Sequence, residues 1–265
     1  LPDCSSGART HHFTIFTIAE QQHPMNLSII IPLYNEEALI VSVLEELNKV
    51  KYPDFIQQVE IVVVDDASKD GSADTVAAYI TDKPHITLVR HPKNQGKGAA
   101  VKTGVKHSQH QHILIQDADL ELSPVDIPAL LCAMHQLKIP FVNGSRYLPG
   151  VIRTQAAYRR YFLNKVFTRV TAILINTYLT DMACGYKLFT RELYEKLDLR
   201  EHRFGFEAEL IIKCGRLRKN WIAEVPVHYA PRNLGQGKKF RTFDGLRIMG
   251  TILKYGLLRM GRVRE

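Results

Sequence analysis

The stretch Ile113-Leu114-Ile115-Gln116-Asp117-Ala118-Asp119-Leu120-Glu121 restricts the folds open to this chain more than any other. An apolar run breaks off into carboxylates at alternate positions, Asp117, Asp119 and Glu121. A parallel strand buried on both faces reads as such a run. Open α/β sheets place their ligands beyond the carboxyl ends of their strands. Three acids so spaced repel one another unless positive charge lies between them. Hard oxygen donors of this kind suit Mg2+ or Mn2+, ions that usually also bind substrate phosphates. The stretch reads as a metal–diphosphate site at a strand tip, with a solvated acidic turn as the alternative.

The rest of the chain repeats the pattern. Leu27–Pro32, Glu60–Asp66, His85–Arg90, Phe141–Gly144 and Trp221–Val227 read as further strands. Asn35-Glu36-Glu37 is expected to open a helix through Val50, its acids in the first turn where the helix dipole favours them. Asp70-Gly71-Ser72 leads into a helix through Ile80, the loop Lys93–Gly98 into one through Lys106, and Ser123-Pro124 into another. Repeated βα units predict an α/β fold, a Rossmann-like doubly wound, mostly parallel sheet flanked by helices. Its strand tips, Pro32–Glu36, Asp65-Asp66 and Asp117–Asp119, then share one edge. Such a crevice takes a nucleotide: an aromatic ring or backbone for the base, an acid for ribose hydroxyls or base N–H groups, a metal for the diphosphate. Gly96-Lys97-Gly98 lacks the GxxxxGK[ST] form and no GxGxxG follows the first strand, which argues against P-loop ATPases and ordinary dinucleotide oxidoreductases.

The 265 residues suffice for one large domain with a sizeable core. The net charge of +8 points to anionic partners: a nucleotide, nucleic acid or an anionic membrane surface. Nucleic acid explains the charge but not the acidic strand tips, so none is expected. Cys4, Cys132, Cys184 and Cys214 form no CxxC pair and no zinc spacing, which fits free thiols in a reducing compartment. No apolar run approaches the roughly 18 residues that cross a bilayer, so the expected location is cytoplasmic, peripheral at the membrane surface. Residues 1–24 lack a leader's apolar core and read as a disordered or upstream extension, with Met25 as the natural start. Residues 25–240 form the main domain. Residues 241–265 read as an amphipathic helix ending in Arg259, Arg262 and Arg264.

In order, Ile31–Glu36, Val64–Gly71, Asn94–Gly98 and Asp117–Asp119 resemble the family 2 inverting glycosyltransferases of GT-A fold, over Leu27 to Tyr255. Gly144–Tyr147, Asp181–Phe189, and Glu224–Val227 leading to Pro231-Arg232 and Gly237-Lys238 look like polyprenyl-phosphate sugar synthases of the dolichyl-phosphate mannose synthase and glucosyltransferase types. The resemblance implies that Pro32, Tyr34, Glu36, Val64 and the Asp65-Asp66 pair hold the nucleoside, neither aspartate being singled out. It implies that Asp117, beside Ala118, faces the nucleotide sugar, and that Asp119 and Glu121 hold Mg2+ or Mn2+. Family members often carry Gln where this chain has Glu121. Arg146 would lie near the transferred sugar phosphate. Arg232 and Lys238, on a basic loop, would close over the diphosphate and acceptor. Arg160 and Asn164 match positions that contact the acceptor phosphate. Asp117, Asp119, Arg146 and Arg232 are thus the expected catalytic set.

The implied reaction is inverting transfer of a hexose, from GDP-mannose or UDP-glucose, to a polyprenyl phosphate lipid. Charge growing on the leaving diphosphate calls for a cation and fixed Arg and Lys groups. The acceptor phosphate is already ionised, so no strong base is required, and His91, His107, His110 and His112 read as surface or loop residues. Two alternatives stand: a family 2 transferase with a polysaccharide or protein acceptor, or a non-catalytic nucleotide-sugar binder that serves a membrane-protein partner. The first lacks the QxxRW motif of processive synthases. Between Tyr158 and Tyr178, Phe162, Val166, Val170, Ile173 and Leu174 recur at helical spacing beside Arg159, Arg160, Lys165 and Arg169. That segment fits either a helix at an anionic lipid surface or one packed on the sheet. Glu207 and Glu209 read as structural.

Overall fold

The computed structural model describes residues 24–151, 158–217, 222–232 and 242–258. The extension before Pro24, Trp221, Lys238 with its basic loop, and Arg259, Arg262 and Arg264 lie outside the described residues. The strands are β1 (Met25–Leu33), β2 (Ile56–Asp65), β3 (Ile86–Arg90), β4 (His112–Ile115), β5 (Phe141–Ser145), β6 (Lys187–Thr190) and β7 (Ile222–Pro226). They form one sheet in the order β3-β2-β1-β4-β6-β5-β7. β1 pairs in parallel with β2 and β4, β2 with β3, and β5 with β7. β6 runs antiparallel between β4 and β5. The residue pattern did not mark β6 as a strand, because four residues buried on nearly every position carry no alternation.

Side chains alternate across β1 and feed two apolar layers. Leu27, Ile29, Ile31 and Leu33 pack with α1 (Ile40–Lys49), with Val76 of α2 (Ser72–Tyr79) and with α4 (Ile127–Leu137). Ile30, with Val62 and Val64 of β2, packs under α3 (Lys97–His107), α5 (Tyr158–Ile175), α6 (Arg191–Leu197), α7 (Gly205–Arg216) and α8 (Thr242–Ile252). α3 lies so close to β1 that a Cβ on Gly104 would overlap Ile30. α8 continues as a widened turn over Leu253–Leu257.

Two local expectations change. α1 begins at Ile40, so Glu36 and Glu37 precede it and its first turn holds no acid. Asn35 sits in the left-handed region at φ 50°, and its N–H donates to Ser68 Oγ while that of Glu36 donates to Ser72 Oγ. The chain therefore turns at Asn35 instead of entering the helix. On α5, the buried face is Asn164, Phe167, Thr168, Thr171 and Ile175, while Phe162 and Ile173 of the expected stripe are exposed. The helix thus packs into the second apolar layer beside α7 and α8, and also presents apolar groups outward. Cys132, Cys184 and Cys214 are free thiols. No helix among the described residues is long and apolar enough to cross a membrane.

Candidate active site

The strand order reverses between β1 and β4. The chain leaves β1 toward β2 and β3, then returns to place β4 on the other side of β1. The diverging connections leave a crevice beyond the strand ends at this switch point. Tyr34–Glu36 after β1 and Asp117–Glu121 after β4 line it. Leu120 adopts φ 55°, and the Glu121 N–H donates to Asp119 Oδ1 at 3.1 Å, which folds the acidic segment into a tight turn.

Arg232 gathers the acids. Its guanidinium donates to both Glu36 oxygens, at 2.9 and 3.0 Å, and to Asp119 Oδ2 at 3.0 Å. Its backbone N–H donates to Glu121 Oε1 at 3.0 Å, and Tyr229 Oη donates to Glu121 Oε2 at 3.2 Å. A bridge between Leu122 and Tyr229 holds the Arg232 segment against the acidic turn. Burial, then the Asp117 and Glu121 carboxylates, push Asp119 up to about 6, against the pull of Arg232. The tip carries more negative charge than one arginine offsets.

Asp117 stands apart from Arg232. Its Oδ1 is 2.6 Å from Lys97 Nζ, which also lies 2.6 Å from Glu207 Oε1. Beneath it, Gln116 is wholly buried and accepts from Tyr186 Oη at 2.6 Å. Asp66 takes N–H donors from Gln95 at 2.8 Å and Gly96 at 2.7 Å, and its Oδ1 lies 2.8 Å from His91 Nδ1. It therefore shapes the loop that opens α3. Asp65 accepts from the Ser68 N–H at 3.2 Å. Pro32 and Tyr34 are half-buried at the rim. Val64 and Ala118 have core side chains, so their main chain is what a ligand could meet.

Arg146 donates through Nε to Asp181 Oδ2 at 2.7 Å and through one terminal nitrogen to Oδ1 at 2.9 Å. Asn164 Nδ2 donates to the same carboxylate at 2.8 Å. Burial disfavours the Arg146 charge, but Asp181 outweighs it and holds the guanidinium ionised. Glu224 ties this unit to the sheet by accepting from Asn143, from the Thr180 hydroxyl and from the Thr180 and Asp181 N–H groups. The Arg146 guanidinium also lies 5.0 Å from the centre of the Tyr229 ring, which links the two halves of the site. Arg160 is half-buried on α5, one turn before Asn164. The family resemblance gave roles to Arg146 and Asn164; Asp181, Lys97 and Glu224 stood in the motifs that carry it without a role of their own, and Tyr229 carried no local signal.

Among the described residues no group of three or more metal-ligating side chains converges. Asp119 and Glu121 nevertheless fit a hard divalent cation. They offer carboxylate oxygens in an excess of negative charge and leave coordination positions for phosphate oxygens.

Comparisons with known proteins identify the family and the fold. The family model of glycosyl transferase family 2 matches residues 28–198. The chain is 31% identical to a dolichyl-phosphate beta-glucosyltransferase of Dictyostelium discoideum, over 80% of this chain and 70% of that one. It is 28% identical to an undecaprenyl-phosphate mannosyltransferase of Micrococcus luteus, over 81% of this chain and 87% of that one. Its fold resembles that of glucosyl-3-phosphoglycerate synthase from Mycobacterium tuberculosis, solved with Mn2+, UDP and glucosyl-3-phosphoglycerate, at a TM-score of 0.66 and 21% identity over 88% of this chain and 80% of that one. That structure shares the sheet, and the family match spans β1 to α6, the part that carries the acidic turn, Lys97, Arg146 and Asp181. With its GT-A fold and its acidic crevice at the switch point, the chain belongs to glycosyl transferase family 2.

Proposed function

We propose that this protein transfers glucose from UDP-glucose to a polyprenyl phosphate of the dolichyl type, with inversion at the anomeric carbon and with a divalent cation. The observation that carries the reading is the convergence of Asp119, Glu121 and Arg232 at the switch point. Similarity to the dolichyl-phosphate beta-glucosyltransferase supports the acceptor and the sugar. Tyr34 and the Asp65-Asp66 pair border the pocket for the nucleoside, and Asp117 faces the donor sugar. Mg2+ or Mn2+ held by Asp119 and Glu121 would supply positive charge to the diphosphate. Arg232, bonded here to Glu36 and Asp119, exchanges those carboxylates for phosphate oxygens when donor binds. Lys238, further along the chain, would join it there.

The acceptor phosphate oxygen is the nucleophile. It forms the new bond to the anomeric carbon as the bond to the diphosphate breaks, and UDP leaves with the electron pair. An ionised phosphate needs no proton removed. Arg146, fixed by Asp181, orients that phosphate beside Asn164, with Arg160 one helical turn away. Exposed apolar groups on α5, with Arg159 and Arg169 exposed beside them, support a peripheral position at an anionic membrane surface.

The similarity to an undecaprenyl-phosphate mannosyltransferase favours a second donor, GDP-mannose. One assay separates the readings. Purified protein with Mg2+ or Mn2+ and a short polyprenyl phosphate is offered each labelled donor in parallel. Label should enter the lipid phase from UDP-glucose and stop when EDTA is added. Label from GDP-mannose alone would replace the donor, and no lipid label from either would overturn the acceptor.

A further inference from the structure

Gly96-Lys97-Gly98 fits no phosphate-loop pattern, yet the structure gives each of its residues a task. Gly96 adopts φ +101°, a conformation glycine accepts and other residues resist. A Cβ there would lie 2.6 Å from the His202 carbonyl oxygen, and one on Gly98 would lie 2.7 Å from Phe206 Cβ. The Ala99 N–H donates to that same His202 carbonyl at 2.9 Å. The glycines therefore let the first turn of α3 dock on the 201–206 segment, which runs into the first turn of α7. Between them, Lys97 reaches both Glu207 on α7 and Asp117 beyond β4, each at 2.6 Å. Only 18% of the Lys97 side chain and 14% of that of Glu207 are exposed, so solvent screens the contact little.

Asp117 is confined from the opposite side too. A Cβ on Gly185 would overlap its Oδ2, so this oxygen packs against bare backbone. One carboxylate oxygen is thus held by an ammonium and the other by a surface that only glycine can provide. We propose that Lys97 is a positioning residue for the donor site: clamped by Glu207, it fixes the orientation in which Asp117 meets the donor sugar. Glu207, 110 residues beyond Lys97 in sequence, belongs to the site through this contact. The inference rests on the reading of Asp117 as the group that faces the donor.

Lys97→Met keeps the length of the stem and removes the ammonium. Turnover at saturating substrates should fall about 100-fold, the loss that follows a misplacement near 1 Å. KM for the acceptor should hold. Glu207→Gln retains an oxygen for the ammonium and should lose less turnover than Glu207→Leu, which should lose about tenfold. The deciding measurement is a double-mutant cycle on turnover and on UDP-glucose affinity. Because Lys97 acts through Asp117, adding Lys97→Met to Asp117→Asn should cost nothing further. Additive losses, or equal activity in Glu207→Gln and Glu207→Leu, would overturn the assignment. If Lys97→Met does not fold, the Glu207 pair carries the same contrast, with thermal melting as the control. A wild type that binds UDP-glucose but labels no lipid overturns only the acceptor, and the cycle is then read on donor affinity. A wild type that binds no nucleotide sugar overturns the underlying reading and this inference with it.

Discussion

Asp119 and Asp181 are carboxylates in opposite circumstances. Asp119 is crowded by Asp117 and Glu121, and its pKa rises to about 6 through burial and those neighbours. Such crowding costs stability in the free protein, and the proposed cation would relieve it. Asp119→Ala should therefore abolish metal-dependent transfer while the melting temperature holds or rises; turnover that persists in the variant, or in wild type with EDTA, would refute the metal assignment. Asp181 is wholly buried, and burial alone would raise its pKa, but Arg146 and then Asn164 outweigh that and hold it below the ordinary value. Asp181→Ala strands a buried guanidinium and should cost about 3–5 kcal/mol in urea unfolding. The sign of the pH effect follows. A depressed folded pKa gives stability that is complete above about pH 4, the ordinary aspartate value, and is lost as pH falls through the folded one. Between about pH 4 and the lower folded pKa, the melting temperature of wild type should fall more steeply with pH than that of Asp181→Asn.

Elements dock where side chains are missing as much as where they are present. α3 reaches β1 because Gly104 has no Cβ to strike Ile30. Gly104→Ala should overpack that contact and lower the unfolding free energy by about 1–3 kcal/mol, read by denaturant titration with unchanged far-UV dichroism. The apolar runs of β1, β2 and β4 announced themselves, since buried parallel strands need continuous apolar side chains. β6 did not, because it is short, buried throughout and inserted antiparallel. The start of α1 was misplaced for a different reason. Hydrogen bonds from the Asn35 and Glu36 N–H groups to Ser68 and Ser72, more than thirty residues away, stabilise the turn at Asn35, and no local propensity records them.

At the scale of the whole molecule, charge and apolar exposure point the same way. The net charge is +8, and α5 exposes Tyr158, Phe162 and Ile173 while α8 and the turn after it expose Leu246, Leu253 and Leu257. The protein should co-sediment with anionic vesicles more than with zwitterionic ones, and weaken in about 1 M salt, where screening shortens to about 3 Å. Equal binding to both vesicle types would remove the electrostatic part of that expectation. The sheet of βα units, the acidic strand tip and the family are legible in the order of residues, because buried strands, turn residues and paired acids each leave a local pattern. Which charges meet is set by the folded arrangement: Lys97 with Asp117 and Glu207, Arg146 with Asp181, and Arg232 with Glu36 and Asp119. These partners lie far apart along the chain, and their pairing follows from the strand order and from glycines that let helices close in, neither of which any single segment encodes.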